Sequence, residues 1–149
     1  MLSADALGRR MLQPSITRTV HPYIMSLPYV AVSFVNMVDL PYAATKSAWC
    51  AFLIGEPGFM SVSADGKSVS IRDAQLSQST PIDILKLNLE SGVVLPVALM
   101  MISLESRSRY RINGWVNTKT SRVLGRISFE LKVEIAFGNC PKVRHKNML

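Results

Sequence analysis

Apolar residues in this chain recur mostly with a period of two. From Gly125 to Ala136 the alternation is unbroken. Ile127, Phe129, Leu131, Val133 and Ile135 fall on one side, and Arg126, Ser128, Glu130, Lys132 and Glu134 on the other. That pattern predicts a half-buried β-strand. Arg109 to Thr118 alternates as well, so Tyr110, Ile112, Gly114 and Val116 are expected to face a core. Phe59–Ser63 and Ser68–Arg72 alternate on either side of Asp65-Gly66, a strong hairpin signal. Tyr29–Val38, Trp49–Ile54 and Val93–Leu104 are nearly continuous apolar runs, which read as a buried strand, a second strand and a long central strand. Pro96 must lie near the start of its strand or at an irregularity.

One segment follows the helical period instead. Ile82, Leu85 and Leu89 stand at i, i+3 and i+7 and define one buried helix face. Thr80 is placed to cap, Pro81 to open the first turn, and the Asp83 carboxylate to meet the exposed amides. The helix should run to about Glu90 and stop at Ser91-Gly92. Asp73–Ser79 reads as a polar connector, and residues 1–20 as a loose arm or short helix limited by Pro14. Six or seven strands with one or two short helices describe a mostly β protein, a small and largely antiparallel barrel.

Composition narrows the class. The chain has 149 residues, 48% hydrophobic and 18% charged, enough for one globular domain with a real core. Its net charge of +7 is uneven. From Arg107 onward there are ten Lys/Arg against two Glu, or +8, so residues 1–106 sum to −1. A basic C-terminal part attracts polyanions, anionic surfaces or phosphorylated ligands. The arginines lie on strands with few interleaved aromatics and no nucleic-acid motif, so no nucleic-acid partner is expected. The most apolar window, Val93–Ile102, is ten residues long, against about 20 for a bilayer-spanning helix, so no membrane partner is expected. No apolar stretch follows Arg9-Arg10 to make a secretory signal. Cys50 and Cys140 match no zinc spacing with His21 and His145. They read as free thiols in a reducing compartment, which predicts a cytoplasmic protein without a metal.

Candidate chemistry gathers at two places. The odd-numbered face of Arg109–Asn117 carries Arg109, Arg111, Asn113, Trp115 and Asn117. Two fixed cations, two amides and an indole can hold a phosphate and stack on a planar ring. The ordinary alternative is a solvated face with Arg–Glu pairs to Glu130 and Glu134. Ser70 and Arg72, followed by Ser77, Ser79 and Thr80 at a helix start, form a plausible phosphate cradle. No catalytic triad, nucleophile elbow or glycine-rich phosphate loop is present.

Four segments occur in register with a known family: Trp49–Phe59, the helix Asp83–Leu89, Arg109–Trp115 and Phe137–Lys142. Together they resemble the pyridoxamine 5′-phosphate oxidase-related, FMN-binding split-barrel family over residues 21–142. The similarity is greatest to the branch often fused to a ferredoxin-reductase-like module. The resemblance implies a six-stranded antiparallel split β-barrel with one or two short helices, forming a homodimer with FMN at the subunit interface. It further implies a flavin-dependent oxidoreductase, with an external electron donor where no reductase module follows. By position, Ser70 and Arg72 become phosphate contacts. Asn88 matches a helix asparagine, Arg111 and Asn113 an Arg-x-Asn-Gly strand, and Cys50 and Ala51 a pair lining the flavin. Ala51 lacks the family's hydroxyl, and residues 36–47 depart from its pattern. Residues 143–149 are expected to be a short, truncated tail. A non-catalytic flavin-binding or storage module, or a defective paralogue, is the alternative function.

Overall fold

A computed structural model describes residues 12–75 and 79–138. Eight strands form one antiparallel sheet: β1 (Tyr29–Val35), β2 (Ala48–Ile54), β3 (Met60–Val62), β4 (Ser68–Gln75), β5 (Val94–Ser103), β6 (Ser108–Asn117), β7 (Arg122–Val123) and β8 (Arg126–Gly138). Two short helices accompany them, α1 (His21–Ser26) and α2 (Thr80–Leu89). The sheet runs β3-β4-β2-β1-β5-β6-β8-β7, and a further β4–β8 pairing closes six strands into a ring. The expected six-stranded antiparallel barrel is therefore present. It is split at one seam, where β2 meets β4 through the single pair Ile54–Gln75. On the other side, β4 and β8 pair along most of β4.

The period-two residues fill the ring. Val30, Val32 and Phe34 of β1 meet Leu95, Val97 and Leu99 of β5 and Ile112 and Val116 of β6 in one continuous core. Burial of each large side chain contributes about 1.5–3 kcal/mol. Pro96 is tolerated because the β1–β5 ladder ends at Phe34–Val97, so its missing N–H is not needed there. Helix α2 packs on β2, on β7 and on the 3-10 turn Thr118–Thr120. Its buried face is wider than the periodicity indicated, adding Ile84 and Asn88 to Ile82, Leu85 and Leu89. The cap is Ser79 rather than Thr80. Ser79 is extended and its hydroxyl accepts from the Ile82 amide at 3.4 Å.

Two bulges change what the alternation predicted. In β8 the register shifts where Asn113 pairs Ile135 but Gly114 pairs Val133, which leaves Glu134 as the extra residue. The phase flips there. Ala136, not Ile135, enters the core, and the expectation of one faultless face from Ile127 to Ile135 is corrected accordingly. Gly114 permits this because a Cβ at that position would overlap the Lys132 carbonyl oxygen. In β4, Ile71 pairs Phe129 and Ala74 pairs Ile127, so Arg72 and Asp73 together stand opposite Ser128. Asp73 takes the left-handed conformation, with φ 54°. This bulge carries β4 on to Gln75, where the sequence suggested a connector from Asp73.

Residues 1–11 and 139–149 lie outside the described residues, and with them the expected tail, Cys140 and His145. Of the arm expected over residues 1–20, the described part is tethered. Gln13 pairs with Ala136, and the buried Ile16 donates its amide to the Gly66 carbonyl at 2.8 Å. Gly66, at φ 72°, leaves no room for a Cβ against the Ile16 backbone.

Candidate functional site

The outward faces of β2, β1, β5, β6 and β8 form one continuous surface. One row across it reads Cys50, Ser33, Ala98, Asn113 and Ile135, and the next reads Phe52, Ala31, Met100, Arg111 and Phe137. Arg111, Asn113 and Cys50 thus share a face. Three strand spacings separate Cys50 from Asn113, about 14 Å at ~4.8 Å each. Among these residues lies an open depression of about 390 Å³, floored by Pro96, Val97 and Ala98 and edged by Ser33, Arg111, Asn113 and Glu134. Large apolar side chains stand exposed elsewhere on the same outward face. Phe52 is 57% exposed, Ile54 49%, Val94 59% and Trp115 44%.

Ser70 and Arg72 lie elsewhere. The β4 bulge turns Arg72 and Asp73 outward together, fixed by the Arg72 amide donating to the Phe59 carbonyl (2.9 Å) and the Asp73 amide donating to Ser128 Oγ (2.9 Å). Arg126 Nη1 donates to the Asp73 carbonyl at 3.3 Å. Arg122, Thr120 and Ser128 join Ser70 and Arg72 around a second depression of about 510 Å³. The sequence reading missed these three. They arrive from the 3-10 turn, β7 and the start of β8, and only the bulge brings them to Arg72. Ser79 and Thr80 open α2, whereas Ser77 lies outside the described residues.

Two of the residues matched by resemblance do not reach either surface. Ala51 is 5% exposed and faces the barrel interior, opposite its neighbour Cys50 on the strand. Asn88 is fully buried, and its side chain is occupied within the protein. Its Nδ2 donates to Asn36 Oδ1 (2.9 Å) and to the Ile84 carbonyl (2.8 Å), and its Oδ1 accepts from the Met37 amide (2.7 Å). Asn36 in turn donates to the Ala43 and Ala44 carbonyls. This buried amide pair ties the 36–47 loop to α2.

The electrostatics are simple. Among the described residues the recorded ion pair joins Lys132 to Glu130 on the same strand at 2.8 Å. The anticipated pairs from Arg109 or Arg111 to Glu130 or Glu134 are not made. Burial pushes the Tyr110 phenol above its ordinary value, so it stays protonated. No group of three or more His, Cys, Asp or Glu among the described residues can hold a metal ion. No helix among them is long and apolar enough to cross a membrane.

The two depressions lie at different points along β8. Arg111 pairs with Phe137 of β8, and Arg72 stands opposite Ser128 of the same strand. From Ser128 to Phe137 is nine residues, about 30 Å of strand at ~3.3 Å per residue. Asn113 and Ser70 lie closer, opposite Ile135 and Glu130, five residues or about 16 Å of the same strand apart at ~3.3 Å per residue. The depression beside Arg111 and Asn113 is lined by Pro96, Val97 and Ala98, with Glu134 also on its edge. The other offers Arg72, Arg122 and hydroxyls to an anion, but Asp73 and Glu130 line it as well. No protein-family model, curated protein or solved structure matches this chain.

Proposed function

We propose that this protein is an FMN-binding split-barrel protein of the pyridoxamine 5′-phosphate oxidase-related kind, which binds the cofactor as a homodimer and serves as a flavin-dependent oxidoreductase. The observation that carries the reading is the depression bearing Arg111 and Asn113 on an outward sheet face that also exposes Phe52, Ile54 and Trp115. Pairing two such faces about a two-fold axis buries that surface. It also supports a site in which Arg111 and Asn113 of one protomer hold the ring while Ser70 and Arg72 of the other hold the phosphate. FMN, when bound, supplies one- or two-electron redox chemistry, so the protein has only to bind, orient and shield it. Arg111 supplies positive charge beside the ring, and the apolar floor excludes water.

A second reading, a flavin-holding module without turnover, draws on Ala51, which is buried and carries no hydroxyl. Titration with FMN followed by flavin fluorescence tests both readings against no binding. Quenching that saturates at one FMN per chain is expected, and a colourless protein that leaves FMN fluorescence unchanged overturns both. Oxidation of a reduced nicotinamide by the FMN-loaded protein then separates the first from the second.

A further inference from the structure

Arg122 stands on the short strand β7, directly opposite Ser128 of β8, and the β4 bulge sets Arg72 and Asp73 opposite Ser128 from the other side. Directly paired residues share a face of the sheet. Two arginines therefore flank one hydroxyl, and all three border the larger depression. Two strand spacings separate β7 from β4 there, about 10 Å at ~4.8 Å each. Both arginines are exposed, and the recorded ion pair among the described residues involves neither. Ser128 Oγ accepts from the Asp73 amide at 2.9 Å and keeps its own proton for a further acceptor. The Thr120 hydroxyl, by contrast, already donates to the Asn117 carbonyl.

The carboxylates at this depression do not cancel the arginines. Lys132 Nζ holds Glu130 Oε1 at 2.8 Å, and Arg126 Nη1 donates to the Asp73 carbonyl at 3.3 Å, which brings a further cation beside that residue. Arg72, Arg122, Arg126 and Lys132 thus stand against Asp73 and Glu130, and the balance is positive. A tetrahedral dianion with three terminal oxygens matches two forked donors on either side of a hydroxyl, whereas a carboxylate ligand fills only one fork. We propose that Arg122 is a ligand-binding residue: it and Arg72 clamp one phosphomonoester from the two sides of Ser128, which donates to a third oxygen. The inference rests on the flavin reading above for the rest of the ligand and deepens it, giving the phosphate end a second arginine that neither the alternation nor the resemblance assigned. Every residue of the clamp comes from one protomer, so it takes free phosphate as well as the phosphate of a flavin.

Two probes test the clamp. Inorganic phosphate is titrated into the wild type, Arg122→Ala and Arg122→Lys, and followed by NMR through the arginine side-chain Nε–H resonances. In the wild type Arg72 and Arg122 should shift together with one midpoint. Arg122→Ala should weaken phosphate binding at Arg72 by about ten-fold or more, the size expected for hydrogen bonds to a charged group. Arg122→Lys, which keeps the charge and loses the fork, should fall between. FMN and riboflavin, which lacks the phosphate, are then compared by flavin fluorescence. The wild type should prefer FMN, and Arg122→Ala should lose most of that preference while its riboflavin affinity holds. Phosphate that moves neither arginine, or a preference for FMN undiminished in Arg122→Ala, overturns the clamp. Phosphate that moves both arginines in a protein that binds neither flavin supports the clamp and overturns the flavin reading. Thermal melts of the variants confirm folding, which an exposed position leaves intact.

Discussion

The two halves of β8 obey different rules. From Ile127 to Lys132 the strand alternates cleanly, with Ile127, Phe129 and Leu131 in the core and Ser128, Glu130 and Lys132 toward solvent. After Glu134 both sides are apolar: Ala136 points inward while Ile135 and Phe137 join the outward rows that contain Asn113 and Arg111. A strand facing water on one side has no reason to be apolar there. The first half reads as a strand solvated on its outer side, although Lys132 already lies beside Trp115, and the second continues an outward face that is more apolar. The bulge at Glu134 is the boundary, and it places charged chemistry at the margin of the apolar face.

Removing the boundary should have the largest effect. Gly114→Ala puts a Cβ into the Lys132 carbonyl oxygen, and a backbone collision of that kind should cost about 3 kcal/mol or more. Denaturant unfolding reads it, and a loss below ~1 kcal/mol would show that the bulge is not sterically enforced. Next in size is the contrast between faces. Phe52→Asp places a charge at the centre of the apolar face and should weaken self-association by about 30-fold or more, while folded-protomer stability changes little. Glu130→Lys, on the solvated half beside Ser70, should leave association almost unchanged. Sedimentation of both variants decides this, and equal effects would erase the distinction.

Asn88 sharpens the same contrast from inside the barrel. Asn88→Ala orphans the Met37 amide and leaves Asn36 Oδ1 with only the Val38 amide as donor, which should cost about 2 kcal/mol of stability. Flavin affinity measured on the fraction that remains folded should hold. A fall in affinity at unchanged stability would instead make Asn88 a ligand contact. The smallest effect belongs to the α2 cap. Ser79→Ala should cost about 1 kcal/mol and Thr80→Ala less, because Ser79 carries the capping hydroxyl.

Much of the barrel is legible in the residue order. The inward set Tyr110, Ile112, Gly114 and Val116, the Asp65-Gly66 hairpin and the buried face of α2 all follow from periodicity, because each is local. The bulges are not local. Gly114 permits the β8 shift only when Lys132, eighteen residues on, comes alongside. The left-handed Asp73 likewise carries no signal until Ser128 meets its amide. Period two alone therefore put Ile135 in the core and Glu134 on a solvated face. For the site, Arg111 and Asn113 were readable as an outward pair, but their company was not. Cys50 and Asn113 are sixty-three residues apart in sequence and share a row only through two intervening strands. Ser70 and Arg72 were readable as an anion site, but not the distance that separates them from the ring end.

The proposed site, with Arg72 from one protomer and Arg111 from the other, is the centre of the account, and subunit mixing tests it most directly. Arg72→Ala and Arg111→Ala, each deficient in FMN binding alone, are mixed under conditions that exchange subunits and titrated with FMN. If each site takes Arg72 from one protomer and Arg111 from the other, random assortment restores about one quarter of the sites to wild-type affinity. No recovery from a mixture shown to contain heterodimers would contradict a site shared between subunits.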